Sequence, residues 1–232
     1  MIASPLCLAI DTPDRSSIEQ LVDATKDVIG IYKVGLTSIY GVGVDAIEAI
    51  DWAGRPLFLD AKLHDIPVQI EGAVDAMRGL GISYVTVHAS GGEEMLRSAV
   101  KAAGDEMQIL AVTILTSLQT DDLAAMGSDR KPGDLVMRLG QLALEAGVSG
   151  LVCSPLEVGA LRARFGSRTE GGPLLVTPGI RPAGSDPGDQ RRTLGPREAI
   201  EAGADVLVVG RPITHAPDPG AAARAIFEEV SA

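Results

Sequence analysis

The stretch Asp60-Ala61-Lys62-Leu63-His64-Asp65-Ile66-Pro67 sets two carboxylates and an amine around the expected end of a strand. Residues 57–59 (Leu-Phe-Leu) read as the buried strand, and in extended chain Asp60 and Lys62, two apart, point the same way. A carboxylate and an ammonium held together in a pocket can stabilise developing charge and supply a proton to a bound molecule. Ile66-Pro67 ends the strand, because proline donates no ladder hydrogen bond, and leaves Asp65 on the loop beyond. The competing reading is a surface ion pair, which is common near strand ends and contributes little.

A second chemistry, anion capture, is written near the C-terminal end. Thr177-Pro178-Gly179-Ile180-Arg181 and Val209-Gly210-Arg211-Pro212-Ile213 each follow an apolar run. Gly179 and Gly210 let backbone N–H groups approach phosphate oxygens, and Arg181 and Arg211 bring forked, charged donors. Two exposed arginines beside turn glycines would account for either motif alone, less readily for both. Gln190, in Gly188-Asp189-Gln190-Arg191-Arg192, lies on the loop that begins at Arg181 and can reach over the ligand, while Arg191 and Arg192 read as solvated.

Other patterns fail on context. Gly41-Val42-Gly43-Val44-Asp45-Ala46 has a dinucleotide-like spacing but follows a helical region instead of a strand. His64, His88 and His215 have no ligand-like spacing with one another or with Cys7 and Cys153, so no transition-metal site is expected, and His88 reads as a pocket or core residue. The two cysteines sit in apolar strand-like runs without CxxC spacing and read as buried thiols, which points to a cytoplasmic setting. There is no nucleophile elbow and no P-loop.

The elements that must carry these residues recur with a period. Apolar, β-rich runs begin near positions 6, 31, 57, 83, 109, 149, 174 and 206. Most intervals are about 26 residues, the length of one strand plus one helix. Helical patterns fall at roughly 16–28, 37–50, 66–79, 91–103, 134–146, 154–165, 195–202 and 219–231, with S-x-x-E capping boxes expected at Ser16 to Glu19 and Ser90 to Glu93. Gly54, Gly104 and Gly147 mark helix ends. Eight βα units without a linker predict a closed (β/α)₈ TIM barrel, one domain over residues 1–232, with an open doubly wound sheet as the alternative. The extra residues at about 116–133 and 178–194 both follow strands, on the side where such barrels bind ligands. Asp11, Lys33, Asp60, Lys62, His88, Thr116 and Arg211 all close or follow strands and so converge on that rim.

Composition narrows the partners. With 46% hydrophobic but only 3% aromatic residues, the core must be aliphatic, as suits a parallel sheet under helices. A formal charge of −11 argues against broad binding to nucleic acid or anionic membrane, so an anionic ligand has to be caught locally. The uncharged run from Met107 to Thr120 is too short to span a bilayer, and residues 1–10 lack the pattern of an export signal.

Taken together, Leu8-Ala9-Ile10-Asp11, Tyr32-Lys33-Val34-Gly35, D-A-K-L-H-D-I-P at 60–67, V-H-A-S-G-G at 87–92, L-T-S at 115–117, T-P-G-I-R-P at 177–182, G-D-Q-R-R at 188–192 and V-G-R-P-I at 209–213 closely resemble the orotidine 5′-monophosphate decarboxylase family, in order and over nearly the whole chain. The resemblance implies a cofactor-free decarboxylation of orotidine 5′-monophosphate to uridine 5′-monophosphate in pyrimidine biosynthesis, with Lys62 protonating the ring carbon. It also implies that Lys33, Asp60, Lys62 and Asp65 form a charged network, with Asp65 reaching into the neighbouring subunit's site in a homodimer. Asp11 and Lys33 would bind ribose, Thr116 and Ser117 the pyrimidine, and Arg181, Gln190, Gly210 and Arg211 the phosphate. The family's usual D-I-P-N-T reads Asp65-Ile66-Pro67-Val68-Gln69 here, so Gln69 stands where a threonine would hold the ribose. Two other readings stay open: a related barrel enzyme acting on a sugar phosphate with Mg²⁺, and a non-catalytic nucleotide-binding barrel.

Overall fold

The structure is a computed structural model of the chain and describes residues 4–182 and 192–231. Eight strands close into a parallel barrel in sequence order: β1 (Leu6–Ile10), β2 (Ile31–Val34), β3 (Leu57–Leu63), β4 (Ile82–His88), β5 (Gln108–Val112), β6 (Gly150–Val152), β7 (Leu174–Thr177) and β8 (Val206–Val209). The ring is sealed by β1 and β8, with Leu6 in register with Leu207 and Cys7 with Val208. The helices are α1 (Arg15–Thr25), α2 (Leu36–Val42), α3 (Val44–Glu48), α4 (Pro67–Asp75), α5 (Glu93–Ala103), α6 (Thr120–Ala125), α7 (Pro132–Glu145), α8 (Val158–Phe165), α9 (Pro196–Glu201), α10 (Arg211–Thr214) and α11 (Pro219–Ser231). A closed ring leaves no edge to pair with another chain, which settles barrel over open sheet.

Strand alternation divides the buried side chains into two cores. Cys7, Ala9, Ile31, Phe58, Tyr84, Leu110, Leu174, Val176, Val206 and Val208 fill the barrel interior. The residues between them, such as Leu8, Tyr32, Leu59, Val85 and Leu207, face the helices. Phe58 and Tyr84 meet edge to face at 6.1 Å and plug the interior where aliphatic side chains alone would leave space. Two residues further along, the interior phase runs Lys33, Asp60 and Thr86, all buried. The apolar plug therefore gives way to a polar layer at the C-terminal ends of β2, β3 and β4.

Several local expectations need correction. The helical region at 37–50 is two helices, α2 and α3, because Gly43 sits between them at φ +89°, a conformation helices do not continue through. The capping box at Ser16 to Glu19 does not form. Asp14 caps α1 by accepting from the Ser17 N–H at 2.8 Å, and Glu19 is taken by Arg15 at 2.8 Å. Nor does Ser90 cap a helix: it lies in a 3₁₀ turn, Ala89–Gly91, and Gly92 precedes α5. The loop after β5 carries α6, opened by the Gln119 N–H donating to Asp122 at 2.8 Å. A further short helix, α10, follows β8 directly.

Candidate active site

The C-terminal rim encloses a cavity of about 840 Å³, within the range of small-molecule sites, lined among others by Asp11, Lys33, Asp60, Lys62, Thr116, Ser117, Gly179, Arg181, Gly210 and Arg211. Strand ends position the charged layer. Lys33 comes from β2 and is 8% exposed at its side chain, with its Nζ 3.2 Å from Asp60 Oδ2 and 3.8 Å from Asp11 Oδ1. Lys62 Nζ donates to the same Asp60 Oδ2 at 2.7 Å while remaining 32% exposed. Asp11, at 56%, stands at the wetter edge. Gly35 makes this approach possible: a Cβ there would lie 2.6 Å from Asp11 Oδ1 and 3.4 Å from Lys33 Nζ.

Period-2 alternation is not what brings Lys62 to Asp60. Leu59 pairs with Val85 and Leu63 with Val87, so three residues of β3 stand opposite Thr86 alone. The extra length is taken up at Lys62, whose φ of +48° is the left-handed conformation. This bulge re-aims the ammonium at the carboxylate.

The charges fix one another's ionisation. Burial pushes the Asp60 carboxyl up, but Lys33, Lys62 and the Thr86 hydroxyl pull harder and leave it at about 2. Burial pulls the Lys33 ammonium down, yet Asp60 and Asp11 outweigh it and hold it above the ordinary lysine value. Asp60 and Lys33 therefore keep their charges at neutral pH.

The opposite wall is built from the ends of β7 and β8. Gly179, at φ +81°, turns the chain after Pro178. Ile180 then bridges to Leu194, and the Arg181 N–H donates to the Leu194 carbonyl at 2.9 Å. Both ends of the intervening loop are thereby pinned together, with Arg181 half-buried on the cavity side. Arg211 opens α10 and is exposed at the cavity mouth. Gly179, Gly210, Arg181 and Arg211 thus stand together at the ends of β7 and β8 beside the short helix α10. Gln190 and Arg191 lie outside the described residues.

Arg192 is not solvated as its sequence context suggests. Its side chain is 8% exposed and donates to Glu157 Oε1 at 2.6 Å and to the Leu115 carbonyl at 3.1 Å. A buried guanidinium needs such partners, and the carboxylate from the β6–α8 loop supplies the opposite charge. Arg192 ties the β7–α9 segment to the loop that carries Thr116 and Ser117. Neither Glu157 nor Arg192 carries a local sequence signal, because the pair spans two βα units.

Asp65 and Gln69 are both exposed and lie away from the cavity lining. Asp65 Oδ1 accepts from the Ile66 N–H at 2.7 Å, and Gln69 stands on α4. The side chains around them, Ile66 and Val68, are 60% and 65% exposed. His88 also stays off the lining and stacks on His64 at 5.4 Å. Cys7 and Cys153 are buried thiols.

Comparison with known proteins supplies the chemistry. Residues 4–226 match the model of the orotidine 5′-phosphate decarboxylase / HUMPS family. The chain is 50% identical over 221 residues to orotidine 5′-phosphate decarboxylase of Anaeromyxobacter sp. (strain K), covering 95% of this chain and 96% of the relative. It is 46% identical over 230 residues to the Thermobifida fusca (strain YX) protein of the same name, covering 99% and 97%. The crystal structure of orotidine 5′-phosphate decarboxylase from Lactobacillus acidophilus superimposes with a TM-score of 0.85 at 36% identity, covering 99% of this chain and all of that one.

Proposed function

The chain belongs to the orotidine 5′-phosphate decarboxylase / HUMPS family and is a carboxy-lyase that converts orotidine 5′-monophosphate to uridine 5′-monophosphate; from that premise we propose that Lys62 carries the chemical step. The observation behind this reading is the Lys33–Asp60–Lys62 layer, in which one carboxylate oxygen holds two ammonium groups at the floor of the cavity.

Cleavage of the bond to CO₂ leaves its electron pair on the ring carbon, in the plane of the ring, where the π system cannot spread it. Stabilisation is then electrostatic. Lys62, the more accessible ammonium, stands beside the developing charge and gives that carbon its proton, completing the new C–H bond as CO₂ departs. Solvent returns the proton to the amine. Asp60 is held ionised and orients Lys62. Lys33 and Asp11 bind the ribose, and Thr116 and Ser117 bind the pyrimidine edge. Arg181 and Arg211, with the Gly210 N–H and Gln190, bind the phosphate, whose remote binding energy goes into the transition state.

Asp65 and Gln69 complete the site of a second copy of the chain. Their exposure outside their own cavity, flanking exposed Ile66 and Val68, supports a two-fold contact in which Asp65 crosses into the partner's network. The enzyme works as a homodimer in the cytoplasm, a setting supported by its two reduced, buried cysteines. The loss of orotidylate absorbance on adding the purified protein, together with its disappearance in Lys62→Ala, is the test; turnover retained in that variant overturns the role of Lys62.

A further inference from the structure

We propose that Thr86 is a positioning residue for the reaction, its single hydroxyl setting both the Asp60 carboxylate and the backbone of Lys62. The inference rests on the roles given above to Asp60 and Lys62. Thr86 lies on β4, directly opposite the three-residue bulge of β3, and is fully buried. Its Oγ1 accepts the Lys62 N–H at 2.9 Å and donates to Asp60 Oδ1 at 2.9 Å. It is absent from the cavity lining, so it cannot act by touching substrate.

The geometry gives this hydroxyl two tasks that no other group among the described residues performs. Lys62 has left the regular ladder at φ +48°, and a non-glycine residue keeps that conformation only where its surroundings over-determine it. The bond to Thr86 replaces the ladder bond lost in the bulge. On the other side, both lysines take Asp60 Oδ2. Oδ1 is turned by Thr86 alone among the bonds described, and rotation about an aspartate's last torsion is otherwise broad. Threonine suits the position because its branched Cβ restricts the hydroxyl to few rotamers. Without it, carboxylate and ammonium remain present but are free to shift, and a displacement of about 1 Å can cost on the order of 100-fold in rate.

The experiment compares Thr86→Val, of similar shape but lacking the hydroxyl, with Thr86→Ser. We expect Thr86→Val to lower kcat roughly 10- to 100-fold while KM and the Kd for uridine 5′-monophosphate stay within about twofold. Thr86→Ser should keep kcat within about threefold, because it keeps the donor and acceptor. Normal kcat in Thr86→Val, a loss in Thr86→Ser equal to that in Thr86→Val, or a rise in KM that accounts for the whole loss would each overturn the proposal. If Thr86→Val does not fold, Thr86→Cys carries the same comparison with a weak hydrogen-bonding group. Lys62→Ala, assayed alongside, separates the failures: activity there removes the catalytic reading, whereas an inactive Lys62→Ala with a fully active Thr86→Val removes only the role of Thr86.

Discussion

Lys33 Nζ lies 3.2 Å from Asp60 Oδ2 with both side chains nearly closed to solvent, at 8% and 12% exposure. The carboxylate is thus neutralised by a lysine that has nowhere to go. Lys62, bound to the same oxygen but 32% exposed, is the one that can approach a ligand. Lys62→Ala is therefore expected to lower kcat by on the order of 10⁴-fold or more. Its melting temperature should stay within about 3 °C of the parent, since the Lys33–Asp60 pair remains. Absorbance assays and thermal melts measure the two effects.

Arg211 stands exposed at the cavity mouth, where the proposed function has it bind the phosphate. Arg211→Ala should reduce kcat/KM for orotidine 5′-monophosphate by about 3 kcal/mol, roughly 150-fold, with little effect on stability. Orotidine, which lacks the phosphate, should be turned over equally by variant and parent. An equal loss on both substrates would place the phosphate elsewhere.

The exposed position of Asp65 gives the proposed dimer a functional test. Lys62→Ala and Asp65→Ala subunits, each inactive alone, should regain activity when mixed. In a hybrid, one of the two sites joins the intact Lys62 of one subunit to the partner's intact Asp65. Random exchange at equal concentrations gives about a quarter of parental activity, because half the dimers are hybrids with one working site. No recovery in hybrids verified by mass spectrometry would put Asp65 in its own subunit's site.

His88 supplies a pH dependence of stability. Burial, then His64 and Lys62, hold its folded-state pKa below the ordinary histidine value of 6.5, and Asp60 offsets them only in part. Below pH 6.5 the unfolded chain accordingly binds a proton more readily than the folded one, so stability is lost as pH falls through that window. His88→Gln should flatten the decline in melting temperature between pH 7 and pH 5. A slope identical to the parent's would mean that other groups take up the protons.

The Arg192–Glu157 pair predicts an asymmetry between single and double substitutions. Removing either partner strands a buried charge, at a cost of about 3 to 5 kcal/mol, or roughly 10 °C in melting temperature for a chain of this size. Arg192→Met combined with Glu157→Leu should recover much of that loss, because two apolar groups leave no charge unpaired. Thermal melts of the three variants decide it.

All eight strands begin within one residue of their apolar runs, because a strand buried on both faces must be continuously aliphatic and nothing else in the chain is. Lys33, Asp60, Lys62, Thr116 and Arg211 could be found from sequence for a related reason, since each polar side chain closing such a run has only the rim to occupy. What the sequence hides is tertiary. The left-handed turn at Lys62 depends on a hydroxyl from the next strand, and Thr86 itself looks like one more β-branched residue in Val85-Thr86-Val87. Its inward phase, two residues past Tyr84, was the available signal. Arg192 looks solvated until Glu157 arrives from a different βα unit. Ser16 lost the cap of α1 to Asp14, two positions earlier, because the helix starts at Arg15.

The seam between β1 and β8 bears on how the protein is made. On the β8 side, Leu6 finds its ladder partner in Leu207, nearly the whole described chain away. A ribosome adding about 5 to 20 residues per second exposes the first strand many seconds before the last. During that interval the nascent sheet carries an open edge at β1, with Cys7 and Ala9 uncovered, and Arg211 has not yet been joined to the chain. Synthesis thus leaves a period in which the growing polypeptide is vulnerable to mispairing and wholly inactive, and both conditions end together when β8 is inserted.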